Sequence, residues 1–178
     1  MGLLIEQQCG ASVTDCHKKL VLDKLQLKNT TPDVTDNPNL NTRFYVEENG
    51  KNITAPCLDC TVKQASGCYI STSENLIKLA NGILYPNRLV KKETLIQLIK
   101  SQKTIDGKKT RYGFGFMSLE DSYGNFYFGH AGSLPSTFTL YRIYPNAKMS
   151  IVILTNKSGN FSLYPIVDKI AHYYIKKM

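Results

Sequence analysis

The stretch FYFGHAGSLPSTFTLYRIYPNAKMSIVIL, residues 126–154, carries the pattern from which the fold is read. Phe126 and Phe128, then Phe138, Leu140 and Tyr144, then Ile151 to Leu154 set aromatic and β-branched side chains in short runs, the signature of strands. Pro145-Asn146-Ala147-Lys148 supplies a turn between two of them. Just upstream, Phe114 and Phe116 extend the series and Gly124-Asn125 turns it. From Tyr112 onward the pattern predicts an antiparallel meander.

Working outward, the period changes to that of helices. A closing helix starts near Pro165 and places Ile166, Val167, Ile170, Ala171 and Tyr174 on one side, with His172 opposite, a surface position without implied chemistry. Toward the N-terminus, Leu95, Ile96, Leu98 and Ile99 mark one helix. Ser71 with Glu74 forms a capping box that opens another, whose face is Leu76, Ile77, Leu79, Ala80, Ile83 and Leu84 and which Pro86 ends. Leu4, Ile5 and Cys9 form a helical stripe. A second start at Ser12, with Asp15 three residues on, puts Val13, Cys16, His17 and Leu20 on one face, where His17 reads as a satisfied core histidine. Arg43 to Val46 reads as a strand, turning at Asn49-Gly50 and returning through Asn52 to Thr54. Asn29 to Asn41 reads as a long surface loop and Pro56 to Tyr69 as irregular. Helices first, antiparallel strands next and one closing helix predict an α+β fold, an antiparallel sheet packed by helices, in a single domain over residues 1–178.

Composition excludes several classes. The chain has 178 residues, 42% of them hydrophobic, which is enough for one domain with a core and too apolar for disorder. The 22 Lys+Arg against 14 Asp+Glu give a net charge of +8, but the basic pairs (Lys18-Lys19, Lys91-Lys92, Lys108-Lys109, Lys176-Lys177) are scattered between apolar runs. That argues against a nucleic-acid stripe. The longest unbroken apolar run, Ile151 to Leu154, is far below the ~20 residues of a membrane span. Met1 to Ile5 reaches Glu6 with no basic leading region, so no signal peptide is expected. On that ground the Asn-x-Ser/Thr triplets at Asn29, Asn52, Asn156 and Asn160 carry no weight.

Five cysteines are an odd number, and no disulfide framework is implied. Cys57-Leu58-Asp59-Cys60 has the spacing of a redox pair or half a zinc site. Its second half is missing around His17, His130 and His172, so neither a metal nor a cofactor is expected, and the cysteines read as buried or loop thiols. Cys68 beside Gly67 is a weak alternative nucleophile with no base nearby. Tyr85-Pro-Asn87, Tyr123-Gly-Asn125 and Tyr144-Pro-Asn146 lie where turns are already required. No Ser-x-x-Lys and no Gly-x-Ser-x-Gly occurs within these residues. Gly129-His130-Ala131-Gly132-Ser133 differs in kind, because it follows strand residues directly and sets a histidine and a glycine-flanked backbone at a strand edge. Taken alone it also reads as a tight bend needing two glycines.

Several blocks in order carry a resemblance: Ser12 to Asp15 with Leu25 to Thr30, Gly67 to Leu76, Tyr112-Gly-Phe-Gly-Phe116, Gly129 to Gly132, and Tyr144 to Asn156. Together they resemble the active-site serine β-lactamase and penicillin-binding-protein family. Arg43 to Val46, Ala55-Pro56, Asp59 and Val62-Lys63 are most similar to the branch of the mitochondrial serine β-lactamase-like protein of animals, which admits a mitochondrial location. The resemblance implies a serine hydrolase or peptidase that opens a small amide, peptide or lactam substrate through an acyl-enzyme. It maps the family's strand motif onto His130, Ala131 and Gly132, with His130 a donor toward the substrate carboxylate. The oxyanion-hole backbone N–H then falls on Ser133. The family's Ser-x-x-Lys and Tyr-x-Asn precede the region that Gly2 to Glu6 resembles. The expectation is therefore a C-terminal part that lacks the nucleophile and the first strands and is silent alone. The alternative is a non-catalytic assembly module that associates through an exposed sheet edge.

Overall fold

Helix formation begins at the first residues. In the structure, a computed structural model that describes residues 1–34, 42–56, 60, 63–85, 88–157 and 161–178, α1 (Gly2–Cys9) and α2 (Val13–His17) meet at a left-handed Gly10. Ser12 Oγ caps α2 by accepting the Asp15 N–H at 3.2 Å. The chain then widens into a π-helical turn, Lys18–Leu22, before α3 (Asp23–Leu25). The wider turn breaks the expected stripe: Val13 and Cys16 stay buried, while Leu20 swings out to 45% exposure. His17 is satisfied as expected, with Nδ1 2.7 Å from the Tyr69 hydroxyl, and burial lowers its pKa.

The cysteines correct the sequence reading. Cys9 pairs with Cys16 and Cys60 with Cys68, at Cα separations of 6.2 and 5.7 Å. The odd total obscured this, because parity says nothing about which cysteines the fold brings together: the α1–α2 hairpin joins one pair and the stretch before Tyr69 the other. The Cys57-x-x-Cys60 spacing is thus not a redox pair, since Cys60 is bonded elsewhere; Cys57 itself lies outside the described residues.

The stretch expected as a long loop from Asn29 opens instead with a short strand, β1 (Thr31–Pro32). A hairpin of β2 (Tyr45–Glu48) and β3 (Lys51–Thr54) follows as predicted, turning at Asn49-Gly50. β4 (Tyr69–Ile70) then pairs antiparallel with β1. The start of α4 (Ser73–Leu84) holds β1 in place: the amide oxygen of buried Asn75, in the orientation that satisfies its neighbours, accepts the N–H groups of Asn29 and Thr30 at 2.9 and 3.2 Å. The cap of α4 is Thr72, one residue later than the expected Ser71. α5 (Lys92–Ile99) completes the helical part.

The meander closes into a four-stranded antiparallel sheet, β5 (Met117–Glu120), β6 (Phe126–Leu134), β7 (Thr137–Tyr144) and β8 (Met149–Leu154), in that spatial order. Phe114 and Phe116 lie before it rather than in it. Gly113 N–H closes onto Phe116 O at 2.8 Å, which leaves Phe114 at the tip, 67% exposed. Alternation along the strands builds two apolar faces. Phe128 and Ile143 pack with Ala80 and Ile83 of α4, and Leu95 and Ile99 of α5 join them. Tyr127, Leu140 and Tyr144 face α6 (Tyr164–Ile175) through Val167 and Ala171. The buried stripe of α6 is therefore Val167, Asp168 and Ala171. Ile166, Ile170 and Tyr174, expected inside, are exposed, because the helix is rolled to bring Asp168 onto Arg142 of β7.

β6 runs unbroken through the Gly-His-Ala-Gly motif, so its glycines do not make a bend. Pro135-Ser136 makes the turn instead. A side chain at Gly129 would overlap the carbonyl of Tyr141 on β7. Gly129→Ala is expected to push the two central strands apart and lower stability by about 1–3 kcal/mol or more, measured by urea unfolding. An unchanged midpoint would contradict that close approach.

Candidate functional site at the open edge of the sheet

β5 pairs with β6 only as far as Met117 opposite Gly129, whereas β7 pairs with β6 from Phe128 through Leu134. His130 to Leu134 therefore form an edge on the β5 side. Which backbone groups face that edge follows from register. The Phe138 N–H donates to Thr155 Oγ1 at 2.9 Å, and the Phe138 carbonyl accepts from the Thr155 N–H at 3.2 Å. Both polar groups of Phe138 are thus turned toward β8. Its partner Ser133 consequently turns its own N–H and C=O away from β7, toward the open edge. Ala131, two residues earlier, does the same.

Side chains divide by the same alternation. Ala131 packs on the α6 face beside Val167, and Ser133 shares that face. His130 and Gly132 lie on the face that α4 and α5 cover. At Gly132 an added Cβ would stand 2.8 Å from Thr139 Oγ1, so this position keeps the motif flat against β7. All four residues expected at the site are thus brought together along one strand end.

A fifth residue joins them. The Tyr112 hydroxyl lies 2.6 Å from His130 Nε2, the two rings packing edge to face at 88°. His130 Nδ1 lies 2.6 Å from the Ala131 carbonyl oxygen. Tyr112 stood in the Tyr-Gly-Phe-Gly-Phe block, but nothing in its spacing announced a partner eighteen positions on. Across the sheet from His130 sits Tyr141, whose buried hydroxyl has no hydrogen-bond partner among the described residues. Burial pushes that phenol far above its ordinary range, so it stays neutral.

The other candidates fall away from this edge. Cys68 is disulfide-bonded and so is neither a nucleophile nor a free thiol. His172 is stacked on Tyr123 at 4.0 Å rather than standing free on the surface. Tyr123-Gly-Asn125 is a turn closed by Asp121, whose carboxylate accepts both the Tyr123 and the Asn125 N–H at 2.9 Å. Among the described residues no group of three His, Cys, Asp or Glu side chains could hold a metal ion, and no helix is long and apolar enough to cross a membrane.

Comparison with solved structures returns the same scaffold. The D-amino acid amidase of Ochrobactrum anthropi SV3, solved with L-phenylalanine amide, superposes with a TM-score of 0.81 at 16% identity over 99% of this chain and 55% of its own. The D-stereospecific amidohydrolase of a Streptomyces species gives a TM-score of 0.70 at 22% identity over 87% of this chain and 47% of its own. The penicillin-binding protein of Bacillus halodurans gives 0.70 at 16% identity over 98% and 52%. The chain spans about half the length of these proteins. No curated protein matches it. The pattern of the β-lactamase family matches residues 1–171, nearly the whole chain, and with the sheet, its flanking helices and the edge motif in place the chain belongs to the β-lactamase family.

Proposed function

We propose that this chain supplies the substrate-side wall of an acyl-transfer site that cleaves a small amide, peptide or lactam. In this reading the Ser133 N–H is a donor of the oxyanion hole, and His130, Ala131 and Gly132 line the substrate. The observation that carries it is the outward turn of the Ser133 N–H at an edge where β5 has ended. A backbone donor fixed by a sheet is already oriented when charge develops on the attacked carbonyl oxygen, and one such donor is worth about 10²–10³-fold in rate.

These 178 residues hold no Ser-x-x-Lys, and in this reading they do not supply the nucleophile and its base. The chain alone is therefore expected to remain unlabelled by a fluorescent penicillin or a fluorophosphonate. Stoichiometric labelling of the isolated chain would overturn this assignment. In a protein that carries the serine, Ser133→Pro, which deletes the N–H, is expected to lower kcat by about 10²–10³-fold.

A second reading rests on a separate observation: among the described residues no strand pairs with the outer edge of β8. An open edge can recruit another strand, which would make the chain an assembly module. Light scattering separates the two, since a monomer at high concentration leaves only the catalytic reading.

A further inference from the structure

We infer that Tyr112 is the positioning residue for His130, and that the pair works as one polar unit in which the phenol oxygen, not the imidazole, is the part left open to a ligand. The inference rests on the proposed site and adds to it a residue and a protonation pattern.

The argument begins with what each nitrogen of His130 touches. Nδ1 lies 2.6 Å from the Ala131 carbonyl oxygen. A carbonyl can only accept, so Nδ1 carries a hydrogen and donates it. In the neutral ring Nε2 then holds a lone pair, and at 2.6 Å it accepts from the Tyr112 O–H. Both nitrogens are thereby engaged. The donor role that the family resemblance assigns to His130 is not available in this arrangement unless Tyr112 moves.

The backbone that carries Tyr112 is held in place. Its backbone N–H donates to Thr110 Oγ1 at 3.2 Å, and its carbonyl accepts from the Gln102 N–H and from Thr110 Oγ1, both at 2.9 Å. It also bridges Met117, at the start of β5. The phenol is thus mounted on a closed turn anchored to the strand that ends beside the open edge. Its oxygen has spent its hydrogen on Nε2 and keeps its lone pairs, while the residue as a whole is 38% exposed. The Ala131 carbonyl, turned to the same edge, is occupied by Nδ1–H. That leaves the Ala131 and Ser133 N–H groups as edge-facing donors nearby, and the Tyr112 oxygen as the acceptor of the Tyr112–His130 pair, beside the Ser133 carbonyl.

Nitrogen-15 NMR of the histidine-labelled chain tests this, and its three histidines, His17, His130 and His172, give few enough signals to assign. With the ring neutral, His130 is expected as the Nδ1–H tautomer, with Nε2 at the position of a hydrogen-bonded, unprotonated nitrogen. In Tyr112→Phe that Nε2 signal is expected to move and the Nε2–H tautomer to gain population, while His17 and His172 keep their wild-type shifts and so report an intact fold. An Nε2–H tautomer in the wild type, or an unchanged His130 in Tyr112→Phe, would overturn the inference. Neither measurement involves acylation. A labelled isolated chain would therefore defeat the proposed reaction without touching this result, and the converse also holds.

Discussion

Asp168→Ala is expected to cost about 3–5 kcal/mol of unfolding free energy, the range for removing one partner of a buried ion pair. Asp168 on α6 pairs with Arg142 on β7, the two side chains being 12% and 3% exposed. Arg142 is enclosed further by the Tyr127 ring 4.0 Å away and the Tyr164 ring at 5.4 Å, and it donates to the Tyr144 hydroxyl at 3.2 Å. Its Nε has no partner among the described residues, and among them Asp168 is the carboxylate that forms an ion pair with the guanidinium. Asp168 also accepts the Ser122 N–H at 3.1 Å, which fixes the β5–β6 turn to the same helix. Removing it strands a cation in the middle of the α6 face. Replacing both partners with apolar residues, Arg142→Met with Asp168→Leu, is expected to cost far less than the single change, because no uncompensated charge remains. Urea unfolding decides it, and a single-variant loss below about 1 kcal/mol would contradict the stated role.

The pH dependence of this pair has a definite sign. Burial raises the Asp168 pKa, but the hydrogen bonds from Arg142 and Ser122 outweigh it and hold the carboxyl below its ordinary value. A carboxylate depressed in the folded state contributes its full stability above the unfolded pKa of about 3.9, and that contribution is lost as pH falls through the lower folded value. Acid should therefore destabilise the wild type more steeply than Asp168→Ala below about pH 4.

The same residues mark where sequence reading succeeds and where it stops. Period-2 runs such as Phe138, Leu140 and Tyr144 are local facts, so the strands from β6 to β8 were legible, as was the Asn49-Gly50 hairpin. The roll of α6 was not. On the sequence Ile166 and Ile170 outweigh Asp168 as core candidates, and only the position of Arg142 on a neighbouring strand reverses that ranking. Leu20 was misplaced for a similar reason, since a π turn shifts helical phase without leaving a composition signal. The His130 to Ser133 strand end could be read as one unit because its residues are consecutive. Tyr112 belongs with it only through the turn that Thr110 and Gln102 close, a geometry that no spacing rule predicts.

The disulfides were the least legible feature, and they lead to the second large expected effect. Cys9–Cys16 and Cys60–Cys68 close short loops, at sequence separations of 7 and 8. Loop-closure entropy assigns roughly 2.5 kcal/mol to each such bridge. Both lie before the four-stranded sheet, and each touches the same link: Cys16 adjoins His17 and Cys68 adjoins Tyr69, the two residues whose side chains meet at 2.7 Å. Reduction should therefore loosen α1, α2 and residues 63–70 together. Because both bridges brace one contact, the losses from Cys9→Ser with Cys16→Ser and from Cys60→Ser with Cys68→Ser should not simply add. The sheet core of Phe128, Ile143 and Tyr144 contains no cysteine, so amide exchange in β6 and β7 should stay slow while exchange around His17 and Tyr69 accelerates. Alkylation of the denatured chain checks the premise: four more thiols should react after reduction than before. Five reactive thiols without reductant would remove both bridges, and with them the expected loss of stability.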